Sequence, residues 1–192
     1  MPVLDLVAIR RELHRIPELA FEEYKTSEML SGIIAGLVHG RDDVEVTRER
    51  TAIIVHVPAT AAPGGGTAAL AGGETIGWRA DMDGLPVAEQ TGLQYASAHP
   101  GVMHACGHDV HMTCGLGILE QILSKSQRNS FVFFFQPAEE NISGAQQICD
   151  AGLQSATTPG SPPGSPTTSA ADPAQRSKTH PSPWLPRTTA TS

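Results

Sequence analysis

The sequence predicts an α/β fold, in which a mixed central sheet is flanked by helices. Segments with helical spacing of apolar residues alternate with β-branched segments along the chain. The continuous apolar run 131–135 is typical of a strand that is covered on both faces. Two acidic pairs, Asp81/Asp83 and Glu139/Glu140, stand where predicted strands end, which is where ligands bind in open α/β sheets.

The first sixty residues predict two helices and a strand pair. Apolar residues recur at helical spacing in residues 3–15 and again in 22–37. Pro17 separates the two helices, because proline cannot continue a helix. The β-branched segments 44–46 and 51–57 then predict two neighbouring strands.

A long loop separates these elements from the rest of the predicted sheet. Residues 59–73 are rich in Gly, Ala and Pro and show neither helical nor strand periodicity. The later elements are, in order, a strand over 75–81, a helix over 109–123, a strand over 131–135 and a helix over 143–151. Gly152 suits the C-cap of the last helix.

The composition changes near residue 154 and divides the chain in two. The 39 residues 154–192 contain 23 Pro, Ser or Thr, and Leu185 is their only Leu, Ile, Val or Phe. Such a segment cannot bury enough apolar surface to offset its chain entropy. We therefore expect a folded domain over 1–153 and a disordered tail over 154–192.

Charge and cysteine content narrow the choice of partner and compartment. Residues 1–153 hold 19 acidic and 10 basic residues, a net charge of −9, which argues against nucleic acid as a partner. Three cysteines are too few for a secreted disulfide scaffold, and the first residues lack the pattern of a signal peptide. The longest apolar run is too short to span a bilayer. The expected location is the cytoplasm, with no membrane contact.

The segment 103–111 contains three histidines, a cysteine and an aspartate. Cys106 and His108 face the same way if the loop is extended, and thiolate and imidazole are good ligands for Zn²⁺. His108 and His111 form an alternative pair if a helix has already begun, because residues three apart share a helix face. The third interpretation is a buried free cysteine beside ordinary polar histidines.

The adjacent residues Glu139 and Glu140 project in different directions. One can bind a metal ion while the other acts as general base on the attacking water. The alternative is a solvated acidic pair at the start of a helix, where the macrodipole favours it.

Asp81 and Asp83 also have two interpretations. Asp83 can accept a hydrogen bond from a metal-bound histidine and fix its tautomer. The sequence Asp-Gly-Leu-Pro that begins at Asp83 is equally typical of a turn.

Four segments, 11–22, 79–86, 103–111 and 135–140, together resemble the metal-dependent amidohydrolases in order and spacing. This family includes hippurate hydrolase, the N-acyl-amino-acid deacylases (aminoacylases) and the plant indole-acetyl-amino-acid hydrolases. The resemblance covers about residues 5–153. It implies the N-terminal half of a layered catalytic domain and a centre of two Zn²⁺ or Mn²⁺ ions that hydrolyses the amide bond of a small N-acyl amino acid.

The resemblance also implies a role for individual residues. Cys106 would bridge the two metal ions, His108 would bind one of them and Glu140 the other. Glu139 would be the catalytic general base, and Asp83 would lie behind the ligands. His111 matches the motif but receives no ligand role.

Family members are roughly twice as long as this chain, and they supply further metal-binding histidines and a lid domain that carries homodimer contacts. One hypothesis is therefore an active amidohydrolase that takes its remaining ligands from elsewhere, such as a second chain. The other is a catalytically inactive, truncated or frame-shifted fragment with weak metal binding or an interaction role. A folded α/β fragment without any ligand is the third.

Overall fold

The computed structural model describes residues 3–60, 74–141 and 144–150. These residues contain four helices and four strands. In chain order they are α1 (Leu6–Arg15), α2 (Tyr24–Leu37), β1 (Glu45–Glu49), β2 (Ala52–Val57), β3 (Thr75–Asp81), α3 (His108–Leu123), β4 (Ser130–Gln136) and α4 (Gly144–Asp150). Every predicted element is present, and the predicted α/β class is confirmed.

Some predictions lie outside the described residues. They concern the tail 154–192, most of the 59–73 loop and the C-cap at Gly152. Among the helices that the structure does describe, none combines the length and the apolar character needed to cross a membrane.

Three helix starts differ from the predictions, and α2 begins at Tyr24 rather than residue 22. α1 begins at Leu6 rather than residue 3, because the Asp5 side chain accepts a hydrogen bond from the Ala8 N–H at 3.0 Å and caps the helix. α3 begins one residue early, at His108. The residue before it, Gly107, has φ 78°, a left-handed conformation that glycine adopts without strain and that closes the preceding turn.

The four strands form one mixed sheet in the order β1-β2-β4-β3. β1 pairs with β2 and β2 with β4 in antiparallel fashion, whereas β4 and β3 are parallel. The register places Asp81 opposite Gln136, so the carboxyl ends of β3 and β4 lie side by side. The chain segments that follow them emerge at one edge of the sheet.

Apolar residues alternate between the two faces of β2 and β4. On one face Ile53, Val55, Phe133 and Phe135 pack against the buried side chains of α1, α2 and α3. On the other face Ala52, Ile54 and Val132 pack with Ile148 of α4. Successive side chains of β4 point to opposite faces, and helices cover both of them. This is why the strand is a continuous apolar run, as the phenylalanines predicted.

Candidate metal centre

Three chain segments meet at the carboxyl edge of β3 and β4. They are the end of β3, the turn that leads into α3, and the turn after β4. Cys106, His108 and Glu140 each place one donor atom so that all three atoms lie within 4.8 Å of one another. We call this group the thiolate triad. The structure thus brings together the three residues predicted as metal ligands.

His108 is buried and is held from behind by Asp83. Its Nδ1–H donates to the backbone carbonyl of Asp83 at 2.8 Å, and Oδ1 of the same residue lies 3.3 Å away. The proton therefore belongs on Nδ1, and the lone pair of Nε2 is free for a metal ion. Nε2 faces Glu139 at 3.9 Å and Glu140 at 4.0 Å.

Asp83 connects two of the predicted ligands. Its Oδ2 accepts a hydrogen bond from the Glu140 backbone N–H at 3.0 Å, while its other oxygen faces His108. Burial raises the pKa of Asp83, but the hydrogen bonds from His108 and Glu140 outweigh burial and hold that pKa below its usual range. Burial lowers the pKa of His108, but its bonds to Asp83 outweigh burial and raise that pKa. A negative Asp83 thus makes His108 a more basic ligand.

Cys106 lies in a turn, not in the extended loop that its spacing from His108 predicted. Left-handed Gly107 reverses the chain between them, and both side chains still reach the same place. The exposed thiol of Cys106 faces the Glu140 carboxylate, and interaction with that carboxylate, followed by desolvation and the charges of Glu139 and Asp83, raises the pKa of Cys106 to about 11. A metal ion must therefore displace a proton to bind there.

This raised pKa predicts slow alkylation of Cys106 in the metal-free chain. Only the thiolate reacts, so the rate with iodoacetamide is expected to rise with pH to a midpoint near 11. The measurement uses the variant Cys114→Ser/Cys149→Ser, which leaves Cys106 as the only thiol. Adding Glu140→Gln removes the charged acceptor and should move the midpoint to lower pH. A midpoint near the ordinary value of about 8.5 would contradict the Glu140 contact.

Glu139 and Glu140 lie in a turn, and α4 begins only at Gly144. The interpretation of the pair as a solvated helix start is therefore wrong. The Glu139 side chain is 36% exposed and that of Glu140 27% exposed. Arg79 approaches Glu139, with Nη2 3.6 Å from Oε1. Glu139 is thus beside the thiolate triad and open to water, as a general base must be.

A buried carboxylate that the sequence did not reveal holds this turn in place. Glu23 is fully buried, and its Oε1 accepts hydrogen bonds from the backbone N–H groups of Phe21 at 3.0 Å and Ala138 at 2.9 Å. Its Oε2 accepts from the Thr51 hydroxyl at 2.9 Å. Ala138 has φ 52° and directly precedes Glu139. Glu23 therefore stabilises the unusual backbone that presents the two glutamates.

A second group of donors lies beside the first. Asp81, His108 and His111 also place donor atoms within 4.8 Å of one another. We call this group the histidine triad. Because α3 begins at His108, the two imidazoles stack with their centroids 5.4 Å apart. The pairing of these histidines, which the sequence left as an alternative, thus coexists with the pairing of His108 and Cys106.

A further polar network joins α1 to the start of α3. Asp109 is fully buried and accepts from Arg10 Nε at 2.7 Å and from His14 Nδ1 at 2.8 Å. The other ring nitrogen of His14 lies 3.2 Å from Glu89. The sequence motifs assign His14 no role, although its position one turn after Arg10 on the helix predicted over 3–15 was a usable signal for this network.

The remaining cysteines and His104 differ in exposure. Cys114 and Cys149 lie on helices, where a cysteine is most simply a packing residue, yet both are exposed. His104 of the predicted cluster is buried, and burial lowers its pKa to about 4, which leaves it neutral at pH 7.

Curated deacetylases and a solved metal-binding peptidase are similar to most of this chain. The N-acetyldiaminopimelate deacetylases of Streptococcus pneumoniae (strain Taiwan19F-14) and Streptococcus suis (strain 05ZYH33) are each 47% identical over 150 residues, which is 78% of this chain and 37% of each relative. A solved Bacillus subtilis protein, described as a dinuclear metal binding peptidase from the M20 family, is 32% identical with a TM-score of 0.65. The similarity covers 77% of this chain and 38% of that one. This chain therefore spans well under half the length of the curated relatives it matches.

The family model for peptidase family M20/M25/M40 matches residues 77–173, about half of the chain. The matched region contains every residue of the thiolate and histidine triads, together with Asp83 and Glu139. The resemblance inferred from the sequence motifs is confirmed at the level of the family, and the chain belongs to peptidase family M20/M25/M40.

Proposed function

We propose that this chain supplies part of the metal centre of an amidohydrolase that cleaves the amide bond of N-acyl amino acids. The observation that carries the proposal is the thiolate triad of Cys106, His108 and Glu140, with the carboxylate of Glu139 directly beside it. Family membership and the 47% identity to deacetylases support the same reaction class.

The donor set of the thiolate triad suits Zn²⁺ or Mn²⁺. A thiolate and an imidazole favour Zn²⁺, while the carboxylate suits either ion. Catalytic zinc sites keep three protein ligands and leave a further position open, and the triad offers three donors. We infer that Asp83 orients His108 and that Cys106 would bridge to a second ion where further donors are present.

Glu139 is the residue proposed to move the proton. A bound divalent ion would polarise the amide carbonyl and lower the pKa of the attacking water. Glu139 would take a proton from that water as the new C–O bond forms. It would then pass the proton to the amide nitrogen as the C–N bond breaks, which releases a carboxylic acid and a free amine. Asp83 keeps the Nδ1 proton of His108 in place throughout.

The substrate is proposed to be a small N-acyl amino acid. The relatives' names direct the first assays to N-acetyldiaminopimelate, and the sequence motifs add hippurate and N-acetyl-amino acids. The net charge of −7 at pH 7 argues against a nucleic-acid partner. We propose a cytoplasmic location, because thiols stay reduced there and the three cysteines of this chain are free.

The substitution Glu139→Gln tests the general base. With Mn²⁺ or Zn²⁺ bound, the wild-type chain is expected to release free amine from these substrates. The variant should be slower by about 100-fold or more, the usual contribution of a general base, with unchanged metal affinity. Glu140→Gln is the matched control, and it should weaken metal binding as well as turnover. Equal rates for Glu139→Gln and the wild-type chain would refute the assignment of Glu139.

A metal-binding chain without turnover is the second candidate. This candidate is favoured by the sharing of His108 between the two triads found among the described residues. Because of this shared residue, the triads together supply fewer donors than two fully ligated ions need. Calorimetric binding of one Zn²⁺ per chain, with no release of amine from any of the substrates, would support this candidate over the first.

A further inference from the structure

We propose that Asp81, His108 and His111 form a second cation site that contains no thiolate. It overlaps the thiolate triad at His108, so one ion can use either set of donors. The proposal shares His108 with the proposed active site, but it concerns binding by Asp81 and His111, to which the amidohydrolase proposal gives no role.

The spacing of the donor atoms fits an ion better than a direct hydrogen bond. Nδ1 of His111 lies 3.4 Å from Oδ2 of Asp81. That distance exceeds the usual N–H···O range, which ends at about 3.2 Å. Ligands bound tetrahedrally at about 2.0–2.1 Å stand about 3.3 Å from one another. All three donor atoms lie within 4.8 Å, so small side-chain rotations close the site.

The burial of Asp81 is an independent indication of a missing partner. Its side chain is only 5% exposed, yet Oδ1 has no hydrogen-bond partner among the described residues. A carboxylate oxygen buried without a partner is unfavourable. A cation held by both oxygens of Asp81 and by His111 would supply the partner that Oδ1 lacks.

Arg79 now lies where it would compete with such a cation. Its Nη2 is 3.0 Å from Oδ2 of Asp81, and its side chain is 52% exposed. An exposed guanidinium can leave the carboxylate for water at little cost. Removing its positive charge should therefore strengthen cation binding, and this result is the opposite of what damage to the fold would cause.

The ligand chemistry separates the two sites. Two imidazoles and one carboxylate accept Zn²⁺, Co²⁺, Ni²⁺ or Mn²⁺, whereas a thiolate favours the softer ions. Co²⁺ distinguishes them directly, because thiolate ligation gives a charge-transfer absorption in the near ultraviolet and the histidine triad cannot.

The test is Co²⁺ titration of the Cys106→Ala chain by calorimetry and absorption. We expect one Co²⁺ to bind without the thiolate band. Adding His111→Gln should weaken binding by more than about tenfold. Replacing a residue that only hydrogen-bonds to a metal ligand already causes a loss of that size, and replacing a ligand itself should cost more. Adding Arg79→Gln instead should tighten it. His39→Gln, which changes an exposed histidine far along the chain, is the control and should have no effect.

Either of two results would overturn the proposal. One is a Cys106→Ala chain that binds no Co²⁺ although circular dichroism shows it folded. The other is binding that neither His111→Gln nor Arg79→Gln changes. His111 and Arg79 are both about half exposed, so their substitutions should leave the fold intact. Amide hydrolysis is not measured in this test, so an inactive chain leaves its outcome unaffected.

Discussion

Replacing Glu23 by alanine is expected to lower the free energy of unfolding by about 3 kcal/mol. The fully buried carboxylate accepts hydrogen bonds from the backbone of Phe21 and Ala138 and from the hydroxyl of Thr51. Alanine leaves these donors without a partner, and each such buried donor costs about 1–3 kcal/mol. Relief from burying a charge offsets part of the loss. Urea unfolding followed by circular dichroism measures the difference.

Two controls separate hydrogen bonding from charge and from position. Glu22→Ala changes the exposed neighbouring residue and should alter stability by less than about 0.5 kcal/mol. Glu23→Gln keeps the shape, and its amide oxygen can still accept from Ala138 while its NH₂ donates to Thr51. It should recover most of the loss. An alanine variant as stable as the Glu22→Ala control would show that Glu23 does not hold the turn.

The pKa of Glu23 adds a pH dependence of known sign. Burial raises that pKa above its ordinary value, and the hydrogen bonds oppose this only in part. The folded chain therefore binds a proton more readily than the unfolded chain. The resulting stabilisation is complete below the ordinary pKa and is lost as the pH rises through the raised one. Glu23→Gln has no such proton, so its stability relative to the wild-type chain should improve as the pH rises.

The fold could be predicted from the sequence because its signals are local. Helical spacing in α1, α2 and α3 and the phenylalanine run of β4 follow from residues close together in the chain. Each of these elements buries one apolar face, or two in the case of β4, so periodicity alone indicates what packs inward.

The thiolate triad was accessible to sequence reasoning for a related reason. Cys106 and His108 belong to one short motif, and Glu140 follows a recognisable buried strand. The histidine triad was only partly accessible. The spacing of His108 and His111 offered them as an alternative pair, but nothing joined Asp81 to that pair, and the pairing itself depends on where α3 begins. That start is fixed by the left-handed conformation of Gly107, which places His111 one turn along from His108.

Glu23 was hidden by distance along the chain. It binds the backbone of Ala138, which is 115 residues away in sequence. Nothing in the local pattern distinguishes a buried glutamate at the start of α2 from its exposed neighbour Glu22. Backbone hydrogen bonds of this kind depend on the tertiary fold, and they decide here how Glu139 is presented.

The largest effect on metal binding is expected for His108→Gln, because His108 belongs to both triads. Cys106→Ala removes a donor from the thiolate triad only, and His111→Gln removes one from the histidine triad only. Each of those single variants keeps one complete set of donors. His108→Gln keeps neither, so its affinity for Zn²⁺ should fall by about a hundredfold or more, at the upper end of losses caused by substitutions near a metal.

The double variant Cys106→Ala/His111→Gln provides the decisive comparison in this series. If the triads are alternatives that share His108, the two mild single effects must combine to more than their sum and approach the loss seen for His108→Gln. Calorimetry with Zn²⁺ measures the affinities of the wild-type chain and the four variants, and circular dichroism confirms that each variant is folded. Independent sites would give additive losses instead. If the His108→Gln chain bound Zn²⁺ within about threefold of the wild-type affinity, His108 would be a ligand in neither triad. A ligand that the two donor sets share cannot be lost without weakening both.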